Sequence, residues 1–232
     1  MPINSQVLGS KEVCMPHYKN ILQNRQDAAL QLRDVIPMQK LKEESWNLIG
    51  VSKGGLDLCH RIRGKLKNNI DFLFSEAIMA PNNPECEVAR VSEHEEIVLN
   101  ESLIHAFEIQ YDYIYGEAHR KHEEDILSYV YQYRKGRHFP SMKDKVVLLV
   151  DEGSETGSKF MTALKTVLGM QPKAVYIAVA VLPSDVVEIL EPYVDNIYFI
   201  HEIDDYVETS LYYKEFEDIK EETIEKLLEE SK

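Results

Sequence analysis

Apolar residues along the chain form short unbroken runs that alternate with stretches of helical spacing. The runs at 46–51, 145–150 and 174–182 have no polar alternation, which is typical of strands buried on both faces of a parallel sheet. Between the runs, apolar residues return three or four positions apart, as at Leu58, Ile62 and Leu66. The alternation predicts an α/β fold, with a mainly parallel sheet flanked by helices. The expected strands are residues 46–51, 70–75, 145–150, 174–182 and 196–200.

Helix boundaries are marked by capping residues and by proline. Asn24 and Asp27 resemble a capping pair, and Pro37 should end the helix that follows. A further helix is expected from about residue 214 to 230. Residues 76–140 look less sheet-like, with one short strand at 96–100 and helical spacing over 102–136. We therefore expect one domain over residues 1–232, with a helical insert or hood at about 76–140.

Composition and charge narrow the classes of function. The chain has 232 residues, 44% hydrophobic, and a net charge of −14, which disfavours general nucleic-acid binding. No run approaches the ~20 apolar residues of a membrane span, and the first residues lack the pattern of a signal peptide. Cys14, Cys59 and Cys86 are scattered and odd in number, as expected of free thiols in a reducing cytoplasm. These features predict a cytoplasmic protein with no membrane or nucleic-acid partner.

The segment 146–159 carries the most informative pattern for chemistry. An apolar strand delivers two adjacent carboxylates, Asp151 and Glu152, and a glycine-containing turn then leads into a helix. Ligands of open α/β sheets bind beyond the carboxyl ends of the strands, and the start of a helix favours an anion. Gly153 and Gly157 should let the backbone approach a phosphate, while the carboxylates should meet sugar hydroxyls or a metal. A sugar phosphate satisfies both requirements.

This segment resembles the binding motif for phosphoribosyl pyrophosphate of the type I phosphoribosyltransferases. Further blocks resemble one branch of that family, the predicted phosphoribosyltransferases of bacteria. These blocks are Asn24-Arg25-x-Asp27-Ala28, Gly50 to Gly55, Pro81-x-Asn83-Pro84-Glu85 and Tyr133-Arg134-x-Gly136-Arg137, and they occur in family order. The resemblance implies the type I phosphoribosyltransferase fold.

The resemblance also implies roles for individual residues. Asp151 and Glu152 would hold the ribose hydroxyls. A carboxylate at Glu155 resembles the purine-salvage transferases, which place an Asp there, so Glu155 would be a general base or contact the acceptor base. Phosphate binding would fall to two loops, made of Gly153, Ser154, Thr156, Gly157, Ser158 and Lys159, and of Ser52, Lys53, Gly54 and Gly55. The second loop would hold the pyrophosphate, with unusual backbone angles at its glycines. Mg²⁺ would be the cofactor, held mainly by substrate and water, with Asp151 and Glu152 as possible protein ligands.

The implied activity is transfer of a phosphoribosyl group to a nitrogenous base with release of pyrophosphate, as part of nucleotide metabolism. Phosphoribosyl pyrophosphate or a nucleoside monophosphate would be the bound partner, and a homodimer is plausible by analogy. Three positions depart from the branch, which usually has Arg, Asp and Ala where this chain has Lys53, Glu152 and Glu155. They keep open an alternative function, a non-catalytic sensor of a nucleotide or phosphate. Glu155 is otherwise a solvated loop charge, and Arg134 and Arg137 either reach a phosphate from the hood or are surface charges.

Overall fold

The computed structural model of the chain describes residues 21–231, so Cys14 and the start of the chain lie outside the described residues. The strands are β1 (Asn47–Gly50), β2 (Ile70–Phe72), β3 (Ser75–Ala80), β4 (Asn83–Ser92), β5 (Ile97–Leu99), β6 (Val146–Gly153), β7 (Ala174–Pro183) and β8 (Asn196–Ile203). The helices are α1 (Arg25–Val35), α2 (Met38–Glu43), α3 (Lys53–Arg63), α4 (Glu101–Ala106), α5 (Tyr111–Lys121), α6 (Leu127–Arg134), α7 (Ser158–Gly169), α8 (Ser184–Leu190) and α9 (Glu221–Glu229).

The core is a five-stranded sheet in the order β2-β1-β6-β7-β8, in which every neighbouring pair is parallel. This confirms the predicted fold class. The central strands are covered by helices on both faces, and this explains their unbroken apolar runs. Leu32 of α1 and Leu58 of α3 belong to one buried cluster, and Phe160 and Leu164 of α7 belong to the other.

Residues 76–140 contain more strand than the apolar pattern predicts. β3, β4 and β5 form a separate antiparallel sheet, and only β5 matches an expected strand. The pairing of β3 with β4 has register shifts between Ile78 and Met79 and between Met79 and Ala80. These irregularities break the two-residue period by which a strand is recognised in sequence. We call residues 76–140 the hood from here on.

The helical half of the hood agrees with the expected pattern. α5 continues into α6 through a π-helical turn at His122–Ile126. At the start of the core, Asn24 caps α1 by accepting hydrogen bonds from the backbone of Gln26 and Asp27, and α1 ends before Pro37. In the described part of the chain, no helix combines the length and apolar composition needed to cross a membrane.

Candidate functional site

Asp151 and Glu152 lie at the carboxyl end of β6, the central strand of the parallel sheet. The strand continues to Gly153 instead of ending at Val150, so both acids belong to the strand and not to the loop after it. Successive side chains of a strand point in opposite directions, and the two carboxylates accordingly contact different partners.

The carboxylate of Asp151 is fully buried and has three partners. Its Oδ1 accepts hydrogen bonds from the Ser52 hydroxyl and from the backbone N–H of Glu152. Its Oδ2 lies 3.5 Å from the ammonium nitrogen of Lys159. Asp151 therefore connects the residue before α3 with the first turn of α7.

Glu152 forms an ion pair with Arg25, the first residue of α1. Oε2 of Glu152 lies 2.5 Å from Nε of Arg25, and the Glu152 side chain is 14% exposed. Burial raises the pKa of the Glu152 carboxyl, and the hydrogen bond from Arg25 opposes that shift. The Tyr213 hydroxyl donates to the backbone carbonyl of Glu152 at 2.7 Å, which holds the strand end from the other side.

Residues 52–55 form the start of α3 and not an open loop. Ser52 is the N-cap, and its hydroxyl accepts a hydrogen bond from the N–H of Gly55. The expected unusual backbone angles are absent, because neither Gly54 nor Gly55 has a positive φ. Both glycines are instead required by close packing. A Cβ at Gly54 would lie 2.0 Å from Oε2 of Glu152, and one at Gly55 would lie 2.2 Å from the carbonyl oxygen of Val150.

The segment after β6 is a short turn that exposes backbone N–H groups. Ser158 donates its N–H to the Thr156 hydroxyl, and Gly157 has a φ of 72°, in the left-handed region that favours glycine. Within residues 21–231, no acceptor contacts the N–H groups of residues 155–157 or of Lys159. They stand at the amino end of α7, a twelve-residue helix. Such an end is suited to an anion.

Gly153 at the end of β6 and Glu155 in the turn have surroundings that the sequence did not indicate. The Cα face of Gly153 is covered, since a Cβ there would lie 2.4 Å from Cγ2 of Thr209 and 2.9 Å from the Tyr206 hydroxyl. Glycine is required at position 153 because Thr209 and Tyr206 pack against it, and not because a phosphate approaches it. Glu155 is exposed, and its carboxylate lies 3.4 Å from the backbone N–H of Thr209.

A cleft of about 740 Å³ separates residues 153–159 from the antiparallel sheet of the hood. A smaller cleft, of about 190 Å³, is lined by Ser52, Lys53, Lys159 and hood residues that include Arg90. Lys159 lines both clefts, so the two predicted loops face adjoining spaces. Lys53 is exposed there, while Gly54, Gly55 and Ser154 are buried.

The sequence pattern indicates no role for two arginines of this region. Arg90 projects from β4 and binds Glu87 through Nε at 2.9 Å and Nη2 at 2.7 Å. For Arg25, the only indication in the sequence is its place in the block Asn24-Arg25-x-Asp27-Ala28, which resembles the family. Arg134, considered as a phosphate-binding residue of the hood, is instead buried and paired with Glu93.

No protein-family model matches the chain. A Mycobacterium tuberculosis protein named "Putative phosphoribosyl transferase" is 22% identical over 177 residues in each of two strains, covering 76% of this chain and 39% of that protein. The chain therefore spans about two fifths of the length of the curated relatives it matches.

Solved structures extend the comparison. The crystal structure of TT1426 from Thermus thermophilus is 26% identical, with a TM-score of 0.72, and covers 90% of this chain and 98% of that one. A purine phosphoribosyltransferase from Pyrococcus horikoshii is 17% identical, with a TM-score of 0.40, and covers 84% of this chain and 91% of that one. The named relative and the fold confirm the predicted resemblance to the type I phosphoribosyltransferases.

Proposed function

We propose that the chain binds phosphoribosyl pyrophosphate with Mg²⁺ and transfers its phosphoribosyl group to a nitrogenous base, releasing pyrophosphate. The observation that carries the proposal is the meeting of two anion-suited segments at the carboxyl ends of neighbouring strands. The start of α3 follows β1, the start of α7 follows β6, and the Ser52–Asp151 hydrogen bond joins them. A ligand with phosphate at one end and pyrophosphate at the other fits this arrangement.

The 5′-phosphate would bind at residues 155–159. The N–H groups there that have no acceptor within residues 21–231 can donate to phosphate oxygens, and the dipole of α7 favours negative charge at this end. The Thr156 and Ser158 hydroxyls and the Lys159 ammonium add further donors. Glu155 is exposed at the edge of this turn and would contact the acceptor base.

The ribose would bind beside the acids of β6. Glu152 is the more available of the two, because Oε1 of its carboxylate contacts no donor among the described residues. Asp151 has no exposed surface and would act mainly by fixing Ser52 and Lys159. The two acids therefore have different proposed roles: Glu152 binds the ribose and Asp151 positions other residues. The family resemblance implied ribose binding for both.

The pyrophosphate would face Ser52 and Lys53 in the smaller cleft. Lys53 places a positive charge where negative charge develops on the leaving group, and such positioning accounts for much of the catalysis of group transfer. In residues 21–231, no group of three or more His, Cys, Asp or Glu side chains is arranged to hold a metal ion. With only Asp151 and Glu152 as possible protein ligands, the Mg²⁺ would be bound mainly by the substrate and would neutralise the charge of its pyrophosphate.

A second candidate, the non-catalytic sensor, is favoured by the complete burial of Asp151 and by Lys53 in place of the family's usual Arg. A sensor needs the phosphate-binding turn but not a leaving-group site. Both candidates predict binding, and only the enzyme predicts turnover. Cytoplasmic location and a homodimer stay predictions in either case.

The test begins with thermal unfolding of the chain with phosphoribosyl pyrophosphate, with and without Mg²⁺. A ligand at about 100 times its Kd should add about 2.7 kcal/mol to stability and raise Tm. The double variant D151N/E152Q should lose this shift. A matched control, D185N/E188Q, makes the same charge change on exposed residues of α8 and should keep it.

Turnover is then tested by pyrophosphate release with a panel of nitrogenous bases. Release that depends on the acids of β6 supports the transferase. A ligand-dependent rise in Tm without turnover for any base favours the sensor. Absence of a Tm rise at millimolar phosphoribosyl pyrophosphate would rule out the transferase. Absence of a Tm rise with nucleoside monophosphates and inorganic phosphate as well would rule out the sensor.

A further inference from the structure

Arg25 joins three parts of the molecule at the edge of the candidate site. Its Nε pairs with Glu152 of β6, and its Nη1 donates to the backbone carbonyl of Glu217 at 2.6 Å. The guanidinium carbon lies 4.6 Å from the centre of the Phe216 ring, and the Arg25 side chain is 12% exposed. Two hydrogen bonds and a ring contact fix the planar group, so the carboxylate it binds is fixed as well.

The pairing uses only one oxygen of Glu152. Arg25 contacts Oε2, whereas Oε1 has no donor among the described residues. The carboxylate lies against Gly54 of α3, where a Cβ would come within 2.0 Å of Oε2 and 2.4 Å of Oε1. A carboxylate held through one oxygen, with the other lacking a donor, is suited to accept a hydrogen bond from a hydroxyl.

We propose that Arg25 is a positioning residue that holds Glu152 with Oε1 directed to a ribose hydroxyl. This inference rests on the proposed function, since it concerns the same ligand. Arg25 itself contacts no ligand; it fixes the acid that does. Without it, Glu152 would lose its fixed orientation, and the pKa of its carboxyl would rise further, because burial and the charge of Asp151 already raise it.

The experiment compares ligands that differ by one hydroxyl. Binding of ribose 5-phosphate, 2-deoxyribose 5-phosphate, 3-deoxyribose 5-phosphate and inorganic phosphate is measured by calorimetry. The native chain should bind ribose 5-phosphate about tenfold more tightly than at least one deoxy ligand, the effect of one hydrogen bond to a charged group. R25M should lose this preference and keep its affinity for inorganic phosphate.

Three further variants sharpen the test. R25K should restore part of the preference, because an ammonium can still pair with Oε2. R25M combined with E152Q should show no loss of preference beyond that of R25M. R61M is the matched control: Arg61 pairs with Asp57 at 2.7 Å on α3, has no contact with the acids of β6, and should leave the preference intact.

The outcomes separate the two proposals. If the native chain binds neither ribose 5-phosphate nor phosphoribosyl pyrophosphate, the proposed function fails, and the role of Arg25 fails with it. If the native chain prefers ribose and R25M keeps that preference, only the role of Arg25 is overturned. Equal weakening of all four ligands in R25M also overturns it, since that is the effect of a general structural role.

Discussion

Gly54 leaves space that the carboxylate of Glu152 occupies. G54A would place a Cβ 2.0 Å from Oε2 of Glu152, closer than nonbonded atoms approach, so the carboxylate would have to leave Arg25. We expect a loss of at least about tenfold in affinity for phosphoribosyl pyrophosphate, the size of one lost charged hydrogen bond. Calorimetry on the purified variant measures it.

Gly116 supplies the control for this substitution. It lies within α5, and a Cβ there would meet no heavy atom within 4 Å. G116A should therefore leave ligand affinity unchanged and raise the free energy of unfolding by about 0.5–1 kcal/mol, the usual difference between alanine and glycine in a helix. Unchanged affinity in G54A would show that the position of Glu152 does not matter for binding.

At the scale of single residues, the sequence indicates which side chains lie at the strand end but not what they contact. Asp151, Glu152 and the turn after them could be found because strand, acids and glycines are adjacent in the chain. The reasons for glycine at positions 54 and 153 could not be found in this way, because side chains from distant segments pack against both residues. A sequence pattern records local spacing, and these contacts are not local.

At the scale of elements, the ion pair of Arg134 with Glu93 connects the end of α6 to the segment after β4. The two side chains are 3% and 4% exposed. Removing one partner of such a pair leaves a buried charge and typically costs about 3–5 kcal/mol. We expect R134M to lower the free energy of unfolding by about this amount at pH 8, measured by urea denaturation.

The size of that loss should depend on pH, and its sign follows from Glu93. Burial raises the pKa of Glu93, and Arg134 opposes the rise, so R134M should raise this pKa further. A group with a raised folded pKa stabilises the native state below its unfolded pKa, and the stabilisation is lost as pH rises through the folded value. R134M should consequently be less destabilised at pH 5 than at pH 8.

Two controls accompany this prediction. R134M with E93Q should recover part of the loss at pH 8, because the buried charge of Glu93 is then removed as well. The recovery is partial, since Asp71, 3.7 Å from Arg134, still loses its partner. R120M removes an arginine that is 44% exposed and pairs with Glu117 and Glu124 on the surface, and it should cost no more than about 1 kcal/mol. An equal loss in R134M at both pH values would contradict the assigned role of Glu93.

Elements differ in how far the sequence predicts them. The strands of the parallel sheet are predictable because they are buried on both faces and read as unbroken apolar runs. β3 and β4 escape notice because register shifts interrupt their alternation and because β4 carries charged residues such as Glu87 and Arg90. The burial of Arg134 cannot be predicted from the sequence either, because nothing in the sequence shows that Glu93 lies beside it.

At the scale of the whole molecule, the hood contacts the core through polar groups as well as apolar ones. The hydroxyls of Thr166 on α7 and Ser92 on β4 are hydrogen-bonded at 2.9 Å, and both residues are buried. The ammonium of Lys165 donates to the carbonyl of Ile97 at 3.1 Å. The predicted single domain over residues 1–232 requires that such contacts couple the unfolding of hood and core.

We expect the chain to unfold in one transition. Trp46, the only tryptophan in the sequence, is fully buried in the core, so its fluorescence reports the core while far-UV circular dichroism also reports the helices of the hood. The two signals should give the same midpoint in urea, as two-state unfolding requires. T166V, which removes the contact of the Thr166 hydroxyl with Ser92 and with the carbonyl of Thr162, should lower both midpoints together, by about 1–2 kcal/mol in free energy. An early change in dichroism at constant Trp46 fluorescence would mean that the hood unfolds by itself, and the hood would then be a separate domain placed over the site.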